Sequence, residues 1–226
     1  MCGRYVIDED RDAIAEAFNA EVSDPALWEW DPRYNIAPTS IVPVVAFDGR
    51  KQRKLVPMRW GLHPHWSRDS PEATPYGPLF NARVETAASK PSFRTSWKRR
   101  RALIPATHWY EWTGGQGGKI PWCIKPEAGG LFAFAGLWDH WRAGEGITLL
   151  SCAILTTDAD GPVSQLHHRE PIRLPEADWQ AWLDPDSCPA DVLDRSRSTD
   201  DLIFWDVSRA VNSSRASGAE LIAPSI

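Results

Sequence analysis

The 226 residues contain 42% hydrophobic side chains, enough to form a real core in one large domain or two small ones. The formal net charge of −5 at pH 7 argues against a generally basic protein that coats nucleic acid, although a local basic cleft is compatible with it. Residues 1–20 lack the apolar segment of a signal peptide and no stretch is long enough to span a bilayer, so we predict a cytoplasmic protein without membrane contact.

The first third of the chain is predicted to combine short strands with irregular segments. Residues 2–7 are typical of a strand, and Asp8 is expected to cap a helix over residues 10–19. Two further strands are predicted over 41–47 and 55–61. Residues 63–79 contain four prolines and several polar residues, which predicts a long loop. Long loops in compact domains are often functional.

Strands dominate the remainder. Residues 80–86 alternate apolar and polar side chains, so Asn81 and Arg83 are expected on one face of a strand. Further strands are predicted over 102–112, 120–125, 131–138, 147–157 and 202–207, a turn over 114–118, and a short helix over 175–183. No repeat or linker divides the chain. We therefore predict an α+β fold in which residues 1–226 form a single β-rich domain, with a barrel-like or strongly curved antiparallel sheet as its core and a few short helices.

Cys2 is the first candidate for chemistry. If Met1 is removed, Cys2 carries a thiol and a free α-amine on adjacent carbons. Their reference pKa values are about 8.5 and about 7.7–8.0, so both can be nucleophilic near neutral pH. An aldehyde is the natural electrophile, because the amine forms a Schiff base and the thiol then closes a thiazolidine ring. Taken alone, Cys2 is better explained as an accidental neighbour of the start codon, and the interpretation depends on the rest of the chain.

Three stretches share one pattern. In Cys2-Gly3-Arg4, Asn81-Ala82-Arg83 and His167-His168-Arg169 a polar or reactive side chain lies two residues before an arginine. In extended backbone, residues two apart point the same way, so each stretch can present one catalytic group and one cation to a common cleft. Three guanidinium groups suit phosphate oxygens, which arginine binds bidentately. A spacing of two is easily reached by chance.

Two residues are candidates for proton transfer. Glu111 lies among Trp109, Tyr110 and Trp112, and desolvation by these aromatic groups is expected to raise its pKa. The alternative is a partly buried glutamate paired with an arginine. His167 has a reference pKa near neutrality and can act as acid or base, whereas a lone histidine is more often structural. His168 is expected to point away from His167 if the segment is a strand.

The stretch from Trp60 to Trp66 adjoins the long loop. Its tryptophans either form a stacking platform for unpaired bases or pack in the core. His63 and His65 are a weak candidate for metal binding. The four cysteines show no CxxC spacing, which indicates a reducing compartment and no zinc site. We predict no metal and no cofactor.

Motifs that point to one family run through nearly the whole chain: Met1-Cys2-Gly3-Arg4, Tyr34–Thr39, Arg59–Trp66, Asn81–Thr86, Arg100–Trp112, Ala135–Trp138, Leu166–Pro171 and Val211-Asn212. In this order they are specific, and the chain resembles the SOS-response-associated peptidase (SRAP) family. Members of that family sense and shield abasic sites in single-stranded DNA, and their mature N-terminal cysteine forms a covalent crosslink to the ring-opened sugar. An older proposal for the family is a peptidase that removes its own first methionine.

The resemblance implies roles for individual residues. The implied catalytic set is Cys2, Asn81, Glu111 and His167. The implied DNA-binding set is Arg4, Arg83, Arg94, Arg169, Trp60 and Trp66. The implied partner is single-stranded DNA containing abasic sites, bound by a cytoplasmic monomer that joins the nucleoid when DNA is damaged.

The chain departs from the family pattern at three places, one of which, Ala102 where cysteine is frequent, is expected to have little effect. Glu170 stands where the family has methionine, which could alter DNA affinity or pair with Arg169, and Thr107-His108 replaces a common acidic residue and glycine. Two other classes of protein remain open. An N-terminal-nucleophile hydrolase would use Cys2, Glu111 and His167 without the arginines. A non-covalent single-stranded DNA binder would need arginine and tryptophan but not Cys2.

Overall fold

The structure, a computed structural model, describes residues 2–74, 77–114, 118–143, 146–195 and 201–225. In chain order its strands are β1 Tyr5–Ile7, β2 Glu21–Val22, β3 Arg33–Ile36, β4 Ile41–Phe47, β5 Arg53–Trp60, β6 Asn81–Arg83, β7 Arg101–Ala106, β8 His108–Thr113, β9 Ile120–Pro126, β10 Phe132–Ala143, β11 Ile147–Asp158, β12 Arg169–Pro171, β13 Arg173–Leu174 and β14 Leu202–Asp206. Its α-helices are α1 Arg11–Ala17, α2 Val84–Ala87, α3 Arg94–Arg99, α4 Glu176–Leu183 and α5 Pro189–Arg195.

Five strands of the larger sheet close on themselves. The antiparallel path runs from β5 through β4, β7 and β10 to β11. Strand β11 then pairs in parallel with β5, with Cys152 opposite Trp60, and completes a barrel. Strands β2, β6, β12 and β13 attach to this ring. The prediction of a β-rich α+β domain with a barrel-like sheet and a few short helices is confirmed.

Apolar strand residues fill the core. Val44, Leu103, Phe134 and Ile154 on the barrel strands are all fully buried. Burying a side chain of this kind stabilises the folded state by about 1.5–3 kcal/mol. The same hydrophobic cluster includes Tyr5 from the second sheet, so the two sheets share one core.

The predicted strand over 102–112 is in fact two strands in different sheets. Strand β7 belongs to the barrel, whereas β8 belongs to the second sheet, whose order is β14-β9-β8-β1-β3. The break falls at Thr107, whose N–H donates to Val6 O at 2.9 Å and whose hydroxyl oxygen accepts from Asp8 N at 3.3 Å. The chain therefore passes from the barrel to the second sheet at Thr107, which is held by Val6 and Asp8 at the end of β1. This crossing brings β8 beside β1.

Two local predictions are wrong. Helix α1 spans Arg11–Ala17 rather than residues 10–19, and its N-cap is Asp10, whose carboxylate accepts from Ala13 N at 2.9 Å. The predicted strand over 80–86 ends at Arg83, because α2 begins at the next residue. The alternation of faces therefore holds for Asn81 and Arg83 but not beyond them.

The described residues of 63–79 lie outside helices and strands, as predicted, and a bridge between Leu62 and Leu79 closes the base of this loop. The predicted turn over 114–118 falls largely outside the described residues. Among the described helices, none has the length and apolar character needed to cross a membrane.

Candidate active site

Cys2 lies at the junction of the two sheets and is fully buried. Strand β1 pairs antiparallel with β8, with Tyr5 opposite Trp109, and Tyr110 N donates to Arg4 O at 3.0 Å. Continuing this register places the residues just before β1 beside Glu111. The pairing of β1 with β8 thus explains how Cys2 and Glu111, which are 109 positions apart in the chain, lie near each other.

Asn81 holds the backbone of Cys2. Its side-chain N–H donates to Cys2 O at 2.8 Å, and strand β6 supports it from the barrel, where Asn81 pairs with Ile154 of β11. The other oxygen of this amide, Asn81 Oδ1, is buried and has no hydrogen-bond partner within the described part of the chain. An unsatisfied buried acceptor costs about 1–3 kcal/mol, so this atom is suited to receive a donor from a bound molecule.

Glu111 is 1% exposed, and burial raises its pKa to about 7, against an opposing effect of the chain's amino-terminal charge. The flanking Trp109 is also buried, as the sequence predicted from the aromatic surroundings. Burial raises the pKa of the Cys2 thiol, and the charge of Glu111 raises it further. The site therefore pairs a protonated thiol with a carboxyl group that exchanges protons near neutral pH.

His167 lies in the turn before β12 and is partly buried. Burial lowers its pKa, and the amino-terminal charge lowers it further. Its Nδ1 lies 2.9 Å from Arg169 N and 3.0 Å from Arg169 O, so this nitrogen accepts from the N–H in one tautomer and donates to the carbonyl oxygen in the other. The same amino-terminal charge thus lowers the pKa of His167, of Glu111 and of the Cys2 thiol. The ring of His168 stacks on that of His167 at 4.3 Å, so the expectation that it points the opposite way is wrong, because this turn is not a strand.

The predicted DNA-binding arginines divide into two groups. Arg83 and Arg94 are exposed, Arg94 at the start of α3. Arg4 is partly buried and donates to Asn35 Oδ1 at 2.7 Å and to Val211 O at 2.8 Å, which fastens the C-terminal segment to β1 and β3.

Arg169 differs most from expectation. Its side chain is 6% exposed and forms ion pairs with Glu85 at 2.8 Å and with Asp158 at 2.5 Å. It also donates to Thr156 O at 2.7 Å. The structure therefore does not place three free guanidinium groups in one cleft, because Arg169 is occupied by protein oxygens.

The two predicted tryptophans also differ. Trp60 is fully buried, donates to Phe80 O at 2.9 Å and packs edge-to-face against Tyr5, so core packing is the correct interpretation and its predicted contact with a base is wrong. Trp66 is 49% exposed and donates to Pro91 O at 3.2 Å, which leaves a ring available to an unpaired base.

Sequence reasoning missed the roles of three acidic residues. Glu85, two residues after Arg83 in the same motif, pairs with Arg169, although its side chain is 44% exposed. Asp139 is buried and binds Arg100 at 2.6 Å and His65 Nδ1 at 2.8 Å. Glu170 is buried, and its Oε1 accepts from Asp160 N at 3.4 Å, whereas the carboxylates on Arg169 come from Glu85 and Asp158. Within the described residues, no three His, Cys, Asp or Glu side chains are grouped so as to hold a metal ion.

Comparison with known proteins gives a consistent result. The family model described as SOS response associated peptidase (SRAP) matches residues 1–214. The chain is 38% identical to abasic site processing protein YoqW of Bacillus subtilis over 98% of this chain and 99% of that protein. It is 29% identical to abasic site processing protein YedK of Escherichia coli over 99% of this chain and 100% of that protein.

A relative from Pongo abelii and a solved structure extend the match. Abasic site processing protein HMCES of Pongo abelii is 30% identical, over 99% of this chain and 76% of that protein. A crystal structure of a protein from Bacteroides thetaiotaomicron superposes with a TM-score of 0.88 over 100% of both chains at 21% identity, which shows a shared fold. On the family match and the full-length relatives, this chain belongs to the SOS response associated peptidase (SRAP) family.

Proposed function

We propose that this chain processes abasic sites in single-stranded DNA by forming a covalent crosslink through Cys2 after Met1 has been removed. The observation that carries the proposal is the convergence of Cys2, Asn81 and Glu111 in one buried site, with the Asn81 amide 2.8 Å from Cys2 O and the pKa of Glu111 raised to about 7. The relatives are abasic site processing proteins, and their names supply the substrate class for the proposal.

Removal of Met1 must come first, because the amine of Cys2 is otherwise part of a peptide bond. In our proposal the Cys2 thiol attacks the Met1 carbonyl while Glu111 takes the thiol proton. The peptide C–N bond breaks, the proton returns to the departing amine of Cys2, and water hydrolyses the resulting thioester to release methionine and restore the thiol. A carboxyl group whose pKa lies near 7 can both accept and return a proton at neutral pH.

Crosslinking then needs an open aldehyde. An abasic deoxyribose exists mostly as a closed hemiacetal, so the bond between C1′ and the ring oxygen has to break. In its protonated form His167 gives a proton to that ring oxygen, and the resulting neutral imidazole takes the proton that the C1′ hydroxyl loses, which yields the aldehyde and restores the imidazolium. Besides burial, the amino-terminal charge lowers the pKa of His167, which supports a place for this imidazole near the aminothiol.

The aminothiol closes on the aldehyde in two steps. The α-amine of Cys2 adds to C1′, and Glu111 donates the proton with which the hydroxyl leaves as water, giving a Schiff base. The sulfur then adds to the same carbon as the carboxylate takes the thiol proton, and a thiazolidine results. Holding both nucleophiles beside one carbonyl can be worth about 7–11 kcal/mol of the barrier. Asn81 Oδ1, buried and without a partner in the described part of the chain, is placed to accept from the Cys2 amine or a sugar hydroxyl.

The flanking DNA is held by different groups. The exposed Arg83 and Arg94 contact phosphates, and the half-exposed Trp66 stacks on an unpaired base. Binding through phosphates weakens as salt rises, and stacking depends little on sequence. The expected partner is therefore single-stranded DNA of any sequence that contains an abasic site.

A denaturing gel tests the proposal. Wild-type protein is incubated with an abasic and with an intact oligonucleotide, beside Cys2→Ala and, as a matched control, Cys188→Ala, which alters an exposed cysteine. We expect a shifted band with abasic DNA for wild type and Cys188→Ala, and none for Cys2→Ala. Intact-mass measurement should show loss of Met1 and an adduct.

Either of two results would contradict the proposal and favour another function. Cleavage of peptides by wild-type protein with no shifted band would indicate the N-terminal-nucleophile hydrolase. Salt-sensitive binding to both oligonucleotides with no covalent band would indicate the non-covalent binder.

A further inference from the structure

We propose that Asp139 is a positioning residue for DNA binding, which clamps residues 63–67, here called the Trp66 loop, onto the barrel and so fixes the orientation in which Trp66 meets an unpaired base. The proposal rests on the proposed function, since it takes from there the contact between Trp66 and a base. It adds a buried carboxylate that acts through Trp66 without touching DNA.

One oxygen of Asp139 holds the Trp66 loop. Asp139 lies on strand β10 and is 1% exposed. Its Oδ2 accepts from the backbone N–H of His65 at 3.0 Å and lies 2.8 Å from Nδ1 of the same residue. A carboxylate only accepts hydrogen bonds, so His65 Nδ1 donates. These two bonds fix both the backbone and the ring of the residue directly before Trp66.

The other oxygen of Asp139 holds the framework behind the loop. Its Oδ1 accepts from Arg100 at 2.6 Å and from the backbone N–H of His140 at 2.8 Å. Arg100 is the C-cap of α3, and its carbonyl oxygen accepts from Trp138 N at 2.9 Å. Hydrogen bonds to an ionised acceptor are about twice as strong as those between neutral groups. The carboxylate therefore joins the Trp66 loop, strand β10 and helix α3 at one buried point.

The ring of Trp66 contacts the opposite end of the same helix. Its Nε1 donates to Pro91 O at 3.2 Å, three residues before Arg94, at which α3 begins. Asp139 reaches the end of α3 through Arg100. The loop is thus tied to both ends of α3, and the placement of the ring relative to the proposed phosphate contact at Arg94 depends on both ties.

Two further bonds hold the loop on either side of His65. The backbone N–H of His63 donates to Ser151 Oγ at 2.8 Å, and Trp141 Nε1 donates to Ser67 O at 2.8 Å. The bonds to the β10 carboxylate hold the residue between them. Without those bonds the two flanking contacts remain, so we expect the domain to stay folded while the middle of the loop varies in orientation.

An error in the orientation of the loop should act mainly through the stacked ring. Trp66 is 49% exposed, so few protein contacts restrain its ring apart from the loop that carries it. Stacking requires the ring and the base to lie face to face. A cation attracts phosphates through water over about 8–10 Å at physiological salt, so Arg94 tolerates small displacements better.

The main test is a double-mutant cycle of Asp139→Asn and Trp66→Ala, with the dissociation constant measured for intact and for abasic single-stranded DNA. We expect Asp139→Asn to raise both constants about fivefold, the lower end of the loss from one stacked base. In protein that already carries Trp66→Ala, the same substitution should change them by less than about twofold. The crosslinking rate at saturating abasic DNA should stay within about twofold of wild type in every variant.

Hydrogen exchange separates a loosened loop from a loosened fold. In free Asp139→Asn protein, residues 62–70 should exchange faster than in wild type, while the barrel strand β7 keeps its protection. A variant whose whole barrel exchanges faster, and which loses affinity equally with and without Trp66, would show a structural role for Asp139 and overturn the proposal.

A pair of histidines provides a second test that leaves Asp139 in place. His65 and His140 have side chains 36% and 34% exposed beside the same carboxylate, but His140 Nδ1 lies 4.0 Å from it, beyond a hydrogen bond. His65→Leu should therefore raise the dissociation constant, and His140→Leu, the matched control, should leave it unchanged. His65→Asn should restore much of the affinity, because its amide N–H takes the position of Nδ1. Wild-type affinity in His65→Leu, or an equal loss in both leucine variants, would contradict the clamp.

Failure of this proposal can be told apart from failure of the proposed function. If wild-type protein binds single-stranded DNA but forms no crosslink, the crosslinking function fails, and the cycle with intact DNA still decides the role of Asp139. If the crosslink forms but Asp139→Asn binds DNA as wild type does, the positioning role alone is overturned. Absence of DNA binding by wild-type protein would overturn both.

Discussion

The buried site around Cys2, here called the pocket, and the exposed residues predicted to bind DNA, here called the surface, contrast sharply in their exposure to water. In the pocket, Cys2 is fully buried and Glu111 is 1% exposed, and burial raises the pKa of both side chains. On the surface, Arg83 and Arg94 are exposed and Trp66 is 49% exposed.

On the proposed function, the contrast separates residues that perform the chemistry from residues that contact DNA. Proton transfer gains from a dry site, because desolvation brings a carboxyl pKa close to neutral pH. Contact with phosphates gains from exposed cations, because a cation that stays in water carries no cost of desolvation in the free protein. Salt screens such charges beyond about 8–10 Å near physiological concentrations. Substitutions in the pocket should therefore change rates with little effect on affinity, and substitutions on the surface should do the reverse.

The largest expected effect comes from Cys2→Ser. It removes the sulfur that closes the thiazolidine, so the stable crosslink should disappear while affinity for abasic DNA stays within about twofold of wild type. Intact mass first establishes whether Met1 has been removed from the variant. Where it has, borohydride should still trap a Schiff base through the remaining α-amine. A heat-stable band from Cys2→Ser without reduction would contradict the assigned role of sulfur.

Next in size is Glu111→Gln, which acts on both rate and stability. Loss of a general acid–base typically slows a reaction by about 10²–10⁴-fold, so crosslinking at saturating DNA should fall by a factor in this range. The control is Glu127→Gln, which neutralises an exposed glutamate. Equal rates for wild type and Glu111→Gln would remove this carboxyl group from the mechanism.

The pH dependence of stability sharpens the same comparison. Burial raises the pKa of Glu111 from 4.5 to about 7, so between these values the folded state keeps a proton that the unfolded chain releases. Stability from this group is therefore present below about pH 4.5 and is lost as pH rises toward 7, by on the order of 3 kcal/mol. Urea unfolding from pH 5 to pH 8 should show a smaller decline for Glu111→Gln than for wild type, and a variant less stable than wild type at pH 8 would contradict this account.

Short motifs drew attention to Cys2, Asn81 and Glu111, and the resemblance to a family assigned them catalytic roles that stay predictions. The flanking aromatic residues correctly indicated that Glu111 is desolvated. The barrel could be predicted from the dominance of short strands. Its closure through β11 and β5 could not, because that pairing joins strands far apart in the chain.

The exposed residues were harder to predict, because side chains from other helices and strands determine whether an arginine or a tryptophan is exposed or occupied. The same spacing rule selected Arg83 and Arg169, and only the fold shows that Glu85 and Asp158 occupy Arg169. Trp60 and Trp66 lie in one motif, yet the chain turns between them at Gly61, whose φ of 140° suits glycine. A Cβ there would come within 2.9 Å of Pro78 Cβ, so this turn needs glycine, and it separates a core tryptophan from an exposed one.

On the surface, Trp66→Ala should have the larger effect. Loss of stacking on one base costs about 1–3 kcal/mol of binding free energy, so the dissociation constant should rise while the rate at saturating DNA is unchanged. Stability should change by less than about 0.5 kcal/mol because the ring is half exposed. Trp60→Ala is the contrasting variant, expected to lose about 3–5 kcal/mol of stability from the core. Unaltered affinity in Trp66→Ala would exclude the stacking role.

The smallest expected effect is on the salt dependence of DNA affinity. This quantity separates the surface from the pocket most sharply. Arg83→Ala removes one exposed cation, so the slope of log affinity against log salt concentration should flatten by about 0.7 for single-stranded DNA. Arg169→Gln, which also removes one positive charge, should leave the slope unchanged, since Arg169 is already neutralised by two carboxylates. Titrations at several salt concentrations measure both slopes. A slope flattened equally in both variants would mean that Arg169 leaves its partners when DNA binds, and the region holding His167 would then belong to the DNA-contacting surface and not to the chemical pocket.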